Sequence, residues 1–164
     1  MSKPSPDTSE NLGFARVDLS RQSRCGRDEV IFGQGKTPEQ VAQIAAVLTG
    51  KTGRFLATRV GPDHHAEVIK LLPETIFHRA AGCLTLGAYP ARTNTTLRAG
   101  VIAAGTSDES VQEEAALTLE FFGWPVERIT DVGVAGLHRL LSEVDRLRNL
   151  DALVVVAGME GALP

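Results

Sequence analysis

The sequence predicts an α/β protein in which a small amino-terminal α+β unit precedes the first βαβαβ half of a doubly wound parallel sheet. Its 164 residues are 43% hydrophobic and 23% charged, as in soluble globular domains. Amphipathic helical patterns alternate with short apolar runs in the second half. We expect a flexible basic arm over residues 1–24, an α+β domain over 25–96 and the parallel-sheet domain over 97–164.

The arm is predicted from composition. Residues 1–11 mix Pro, Ser, Asp and Glu without an apolar period, which is typical of a disordered tail. Four arginines follow within twelve residues, at Arg16, Arg21, Arg24 and Arg27. Such a cluster could clamp phosphates, but it is more typical of a solvated arm or a subunit contact.

The first clear helix of the α+β domain begins at Thr37. Thr37 can cap it, Pro38 suits its first position, and Gln40 completes a capping box. Its apolar residues repeat on one face, and Gly50 is the predicted end. The next predicted elements are a strand over 54–58, a helix over 63–72 and a strand over 83–86.

The second half repeats strand and helix patterns. Strands are predicted over 100–104, 126–130 and 152–157, with helices over 107–122 and 137–147 between them. This order favours right-handed crossovers and a parallel sheet. Three strands and two helices cannot cover both faces of such a sheet. We therefore expect a fragment, or an exposed sheet edge that another subunit covers.

Each of the three predicted strands leads into a loop of glycines and polar residues, at 105–108, 131–139 and 158–161. The carboxyl ends of parallel strands share one rim, where ligands bind. The helix that begins near Ser107 points its positive end there, which suits a phosphate. Structural roles remain open, because Ser107 or Asp108 could cap that helix, His138 could pack on its own helix, and Glu160 could cap a following helix.

Charge and hydropathy exclude several classes of protein. The net charge is −3, and it divides into +3 over residues 1–97 and −6 over 98–164, which disfavours general nucleic-acid binding but permits a small anionic ligand. No apolar run approaches the roughly 18 residues that cross a bilayer. The polar start lacks the apolar core of a signal peptide, so we expect a cytoplasmic protein without membrane contact.

Motifs for metal, dinucleotide and hydrolase sites are missing. Cys25 and Cys83 are far apart and belong to no CxxC pair, and the adjacent His64 and His65 make a poor metal pair. We predict no metal ligands. The sequence has no GxxxxGK[ST] or GxSxG motif, and no GxGxxG follows the first strand of the parallel sheet.

Three motifs closely resemble the LarB family of nickel-pincer cofactor biosynthesis, which is related to the PurE type of aminoimidazole ribonucleotide carboxylase. They are residues 103–108, 131–140 and 156–164, and they occur in the family's order and spacing. Residues 24–37 and 58–59 resemble its amino-terminal region. The resemblance covers about residues 20–164 and implies a PurE-like sheet.

The resemblance also implies an activity. LarB-like enzymes carboxylate the pyridinium ring of nicotinic acid adenine dinucleotide and hydrolyse its phosphoanhydride, which releases AMP. A cysteine thiolate first adds to the cationic ring, so that a neutral dihydropyridine can attack carbon dioxide, and a base then removes the ring proton. The resemblance implies carbon dioxide or bicarbonate as co-substrate, with magnesium possible and no tightly bound cofactor.

Site residues follow from the same motifs. The resemblance makes Glu160 and Asp108 the catalytic candidates. The substrate-binding candidates are Gly105, Thr106, Ser107, Gly133, Ala135, His138, Arg139, Met159 and Gly161. PurE-type enzymes carry a histidine where this chain has Ala162, which argues against proton shuttling on aminoimidazole carboxylate.

In the LarB family the nucleophilic cysteine lies beyond the position of Pro164, so we expect this chain to be inactive by itself. PurE-like relatives form octamers, and a homo-oligomer is expected by analogy. Two other functions remain open: a carboxylase or mutase of purine biosynthesis, and a non-catalytic nucleotide-binding module.

Overall fold

The computed structural model describes residues 9–93, 95–158 and 161–164. The chain forms two compact units that divide after Ala88. Both units mix helices and strands, and the second contains a parallel sheet, so the predicted α/β class is confirmed. Among these residues, no helix combines the length and the apolar character needed to span a membrane.

The first unit contains a hairpin and a four-stranded mixed sheet. The sheet order is β3-β4-β6-β5, in which only β3 and β4 are parallel. Its elements are β1 (Ser9–Asn11), β2 (Arg16–Asp18), α1 (Arg21–Cys25), β3 (Ile31–Phe32), α2 (Pro38–Thr52), β4 (Phe55–Thr58), α3 (Pro62–Leu71), β5 (Ile76–His78) and β6 (Cys83–Leu86).

Helix α2 covers one face of this sheet. The predicted capping box is present, because the Thr37 hydroxyl accepts a hydrogen bond from the Gln40 amide and the Gln40 side chain accepts one from the Thr37 amide. The helix continues past Gly50, its predicted end, and stops at Gly53, whose φ of +73° is suited to glycine. The buried core of this unit includes Val41, Ala45, Leu48, Phe55 and Leu84.

The structure differs from the predicted flexible arm over residues 9–24. These residues form β1, β2 and the start of α1, and Val17 on β2 is 1% exposed within the core of the unit. Asp18 pairs with Arg24, which fixes one of the four arginines to this folded segment. The burial of Val17 and the ion pair of Asp18 with Arg24 order this segment although its composition is polar. Composition alone does not reveal such contacts.

The second unit contains three parallel strands in the order β8-β7-β9. Its elements are β7 (Ala99–Ala103), a 3₁₀ turn (Thr106–Asp108), α4 (Glu109–Phe121), β8 (Val126–Ile129), a second 3₁₀ turn (Val134–Gly136), α5 (Leu137–Ser142), α6 (Val144–Arg148) and β9 (Ala152–Val156). The βαβαβ order is as predicted, and β7 is central because the second crossover returns past it.

The segment that precedes β7 also belongs to the second unit. The Tyr89 amide donates to the Phe121 carbonyl at 2.8 Å, and the Arg92 guanidinium lies 4.3 Å from the centre of the Trp124 ring. These contacts with the end of α4 and the following turn explain why the units divide before residue 97, where the sequence places the start of the sheet domain.

Both faces of the three-stranded sheet carry packed side chains. On one face, Ile102 and Ile129 pack with Leu140 of α5 and Leu147 of α6. Strand β9 lies at the edge of the sheet, and Leu153 and Val154 are 46% and 40% exposed.

Helix α4 contributes one buried polar side chain to the sheet. Gln112 is 1% exposed, and its amide nitrogen donates to the carbonyls of Val101 at 2.8 Å and Ile129 at 3.0 Å. Its amide oxygen accepts a hydrogen bond from the Thr130 hydroxyl. Gln112 thus links α4 to both β7 and β8 near their carboxyl ends.

Candidate functional site

The turns that follow β7, β8 and β9 are joined by backbone hydrogen bonds. The Ala104 amide donates to the Val156 carbonyl at 2.9 Å, the Val132 amide donates to the Ala103 carbonyl at 3.2 Å, and the Gly133 amide donates to the Ala104 carbonyl at 2.8 Å. Because Ala104 bonds to the last residue of β9 and to the turn after β8, the three turns are held at one edge of the sheet.

These turns surround a cavity of about 320 Å³. Five of the predicted site residues line it: Gly105, Ser107, Asp108, Gly133 and Ala135. The other wall residues, which the sequence reasoning did not select, are Ala104, Val134, Ala157, Gly158, Ala162 and Leu163. All six are small or apolar. Three of them, Ala104, Ala157 and Gly158, follow the end of a strand within two residues, and this position is a signal that could have identified those three.

Other predicted site residues lie outside the wall of the cavity. Thr106 and His138 are exposed, and neither is among the wall residues. Gly161 is exposed and also lies off the wall. Met159 and Glu160 lie outside the residues that the structure describes, so their predicted roles stay predictions.

Arg139 also lies outside the wall, and it has an internal partner. Its guanidinium forms an ion pair with Asp131, the residue two positions after β8. The sequence analysis did not select Asp131. Asp131 has a φ of +60°, which is uncommon for a residue other than glycine, but nothing in the sequence marks this position.

Asp108 has two roles in the local structure. Its carboxylate accepts a hydrogen bond from the Gly105 amide at 3.0 Å, which closes the turn at the start of the helix, and the same residue lines the cavity. As the residue that precedes α4, Asp108 makes no side-chain capping hydrogen bond to that helix, so the capping role that the sequence left open is not seen for Asp108. Among the described wall residues, Asp108 provides the only charged side chain.

The electrostatic character of the cavity comes from Asp108 and from the start of α4. The 3₁₀ turn at Thr106 runs directly into the thirteen-residue helix α4, so the amides of the first turn and the helix dipole present partial positive charge at this rim. Val134 and Leu163 add apolar surface. A cavity of this kind can accept a flat ring against its apolar wall and an anionic group near the helix start.

Gly133 is required by the close approach of two turns. A Cβ atom at this position would lie 2.7 Å from the Ala104 carbonyl oxygen, closer than such contacts occur in real structures. The family resemblance selected Gly133 as a substrate-binding candidate. In the structure it also lets one turn approach the backbone of another turn.

The two cysteines belong to the first unit, and residues 89–164 contain none. Cys83 is fully buried, and its thiol donates to the Ala81 carbonyl, whereas Cys25 is exposed. Both ring nitrogens of His64 are engaged, since Nδ1 accepts from the Gly61 amide and Nε2 bonds to the Lys36 carbonyl. In the described part of the chain, no three His, Cys, Asp or Glu side chains group so that they could hold a metal ion.

Comparisons with known proteins match both the amino-terminal unit and most of the chain. Residues 9–88 match the family described as the LarB/PurE-like N-terminal domain. An uncharacterized protein of Methanocaldococcus jannaschii is 37% identical over an alignment of 164 positions, which covers 91% of this chain and 61% of that protein. The chain thus spans about three fifths of the length of this curated relative.

Proposed function

We propose, on the premise that this chain belongs to the LarB/PurE-like family, that its second unit forms part of the substrate site of a carboxylase. The observation that carries the proposal is the cavity at the carboxyl edge of β7, β8 and β9. It lies where open parallel sheets bind their ligands, and turns from all three strands form its walls.

The substrate that we propose is nicotinic acid adenine dinucleotide. Its pyridinium ring is flat and cationic, and its two phosphates are anionic. The apolar wall residues Val134 and Leu163 suit the face of the ring, and the Asp108 carboxylate offers the opposite charge. The amides at the start of the 3₁₀ turn and of α4 suit a phosphate.

The proposed reaction replaces a ring proton with a carboxylate. A thiolate adds to the pyridinium, and the neutral dihydropyridine forms a carbon–carbon bond with carbon dioxide. A base then takes the ring proton, and the thiolate leaves as the ring becomes aromatic again. Water cleaves the phosphoanhydride and gives AMP and the carboxylated mononucleotide, so that no electrons are gained or lost overall.

The residues of the second unit serve this scheme in different ways. Asp108 stabilises the cationic ring before addition and after thiolate departure, and Glu160 remains our candidate for proton transfer. Because residues 89–164 contain no cysteine, the thiolate comes from elsewhere in the proposed enzyme. Without three clustered ligand side chains in the described residues, any magnesium ion would depend on the substrate phosphates.

Several further expectations belong to this proposal. The co-substrate is carbon dioxide or bicarbonate, no cofactor is tightly bound, and the protein works in the cytoplasm as a homo-oligomer. Ala162 on the cavity wall has no ionisable side chain, which disfavours the proton shuttle of purine-pathway carboxylases and mutases. Ala162 does not distinguish the proposed enzyme from a nucleotide-binding module. An assay for the carboxylated product distinguishes them.

Calorimetric titration tests the substrate. Nicotinic acid adenine dinucleotide should bind, and the Asp108→Asn variant should bind it about tenfold or more weakly, because a charged hydrogen-bonding group is lost. The matched control is Asp145→Asn, which removes a carboxylate that is 97% exposed and should leave affinity unchanged. Equal affinity of the Asp108 variant and the unaltered chain would contradict the proposed site.

A second assay tests the reaction. Because the thiolate is expected outside this chain, the assay uses a full-length protein that carries these residues together with the cysteine segment. It is incubated with labelled bicarbonate and either nicotinic acid adenine dinucleotide or aminoimidazole ribonucleotide, and label and AMP are measured in the products. Label in the pyridinium product together with AMP supports the proposal. Label in the imidazole product would instead assign the purine-pathway reaction, and binding without either product would favour the nucleotide-binding module.

A further inference from the structure

The turn after β8 begins at a residue in an uncommon backbone conformation. Asp131 has a φ of +60°, in the left-handed region that aspartate enters more readily than most residues other than glycine. The chain reverses here and continues to Gly133, whose amide donates to the Ala104 carbonyl at 2.8 Å. Asp131 therefore stands at the entrance of the turn that forms one wall of the cavity.

The exit of the same turn is marked by Arg139 on α5. Its guanidinium forms the ion pair with the Asp131 carboxylate and also lies against Gly136. A Cβ atom added at Gly136 would lie 2.5 Å from Nε and 2.7 Å from Nη2 of Arg139. The guanidinium thus connects the entrance of the turn with its exit.

We propose that Asp131 and Arg139 form a clamp that holds Gly133, Val134 and Ala135 in place as a wall of the cavity. In this role Arg139 is a positioning residue, and its guanidinium is occupied by Asp131 instead of by an anionic ligand. The Gly136 amide, which donates to the Gly133 carbonyl at 2.9 Å, lies inside the turn that the clamp closes. The consequence for substrate affinity rests on the proposed function, whereas the closure of the turn does not.

The strength of the clamp follows from its exposure. The side chains of Arg139 and Asp131 are 40% and 49% exposed, so water and salt screen their attraction. Such a pair contributes little to the stability of the whole unit. It can still change how often a short turn opens, because local opening requires far less free energy than unfolding.

Amide hydrogen exchange measures this opening without any ligand. In Asp131→Asn, which keeps a residue type that tolerates the left-handed conformation, the amides of Gly133 and Gly136 should exchange about two- to fivefold faster than in the unaltered chain. Arg139→Gln should do the same, and Arg139→Lys, which keeps the positive charge, should restore much of the protection. Equal exchange in all four proteins would overturn the clamp.

Salt and a matched variant separate the clamp from a general loss of structure. High salt should speed exchange of the Gly136 amide in the unaltered chain but not in Asp131→Asn, and no difference in salt response between the two would contradict the ion pair. Arg148→Gln is the control, since Arg148 is 77% exposed and lies on α6 outside the turn. If Arg139→Gln also speeds exchange of the β7 amides, the Arg139→Lys variant decides between the two explanations. Slow exchange in Arg139→Lys supports the clamp, and fast exchange in Arg139→Lys opposes it.

Titration with nicotinic acid adenine dinucleotide then tests the link to the substrate. Weaker binding in Asp131→Asn, with faster exchange, supports a positioning role at the proposed site. Faster exchange in a chain that does not bind this nucleotide would leave the clamp standing and count against the proposed function. Unchanged exchange with weaker binding would overturn the clamp and favour direct contact of Asp131 with the substrate.

Discussion

The Gly133 amide donates a hydrogen bond to the Ala104 carbonyl at 2.8 Å, and this contact joins the turn after β8 to the end of β7. Ala104 bonds at the same time to Val156 at the end of β9. Because β7 is the central strand, a single residue at its end aligns the turns of both neighbours. The cavity wall depends on this alignment.

Substitution of Gly133 should disturb both the fold of the second unit and the cavity. In Gly133→Ala the added Cβ would lie 2.7 Å from the Ala104 carbonyl oxygen. Ala104 cannot move away without disturbing its hydrogen bonds to Gly133 and Val156, so we expect a loss of about 1–3 kcal/mol in the free energy of unfolding. Urea unfolding followed by the fluorescence of Trp124, the single tryptophan, reports on this unit. Gly158→Ala is the control, since its Cβ would meet nothing within 4 Å.

Removal of the buried amide of Gln112 should destabilise the same unit. Gln112→Leu takes the donor from the Val101 and Ile129 carbonyls and the acceptor from the Thr130 hydroxyl, and we expect a loss of about 2 kcal/mol. The same fluorescence measurement checks it. Ser110→Leu changes an exposed polar residue of the same helix and should be nearly neutral. A similar small effect in Gln112→Leu would show that these hydrogen bonds do not stabilise the sheet.

Stability of the first unit should fall in acid partly because of Asp18. Burial acts to raise the pKa of this carboxyl, but the Arg24 guanidinium and the Ser20 amide and hydroxyl together hold it below its ordinary value of 3.8. A lowered pKa in the folded state stabilises the fold fully above pH 3.8, and this contribution is lost as the pH falls below that value through the folded-state pKa.

Urea unfolding followed by circular dichroism, from about pH 5 to about pH 2, measures this contribution. The unaltered chain should lose more stability over this range than Asp18→Asn, which has no carboxyl to protonate. Glu74→Gln, at an exposed position, should leave the slope unchanged. Identical slopes for Asp18→Asn and the unaltered chain would mean that the pairing with Arg24 has no thermodynamic effect.

A glycine inside α2 and the glycine that follows its last residue should respond in opposite directions to the same substitution. Gly50 is exposed inside the helix, with nothing within 4 Å of an added Cβ, so Gly50→Ala should stabilise the first unit by about 0.5–1 kcal/mol. Gly53 has a φ of +73°, so Gly53→Ala should destabilise the unit by about 1 kcal/mol. Thermal unfolding followed by circular dichroism compares them, and shifts of the same sign would contradict the helix end at Gly53.

Local sequence patterns determined much of the architecture. The capping box at Thr37 depends on residues three positions apart, and the strand and helix periods of the second half depend on neighbours within a turn or two. The shared rim also followed from the sequence, because parallel strands joined by right-handed crossovers end at one edge. The loops that carry Gly105, Asp108 and Gly133 could therefore be placed at this rim, and the family resemblance selected these residues within them.

Contacts between distant residues were decided only by the tertiary structure. Val17 is buried although its surroundings in sequence are polar. The same applies to Arg139, which the family resemblance suggested for substrate binding and which the fold pairs with Asp131. Sequence periodicity indicates which residues prefer burial or a particular backbone conformation. The ion-pair partner of a charged side chain depends instead on the path of the whole chain.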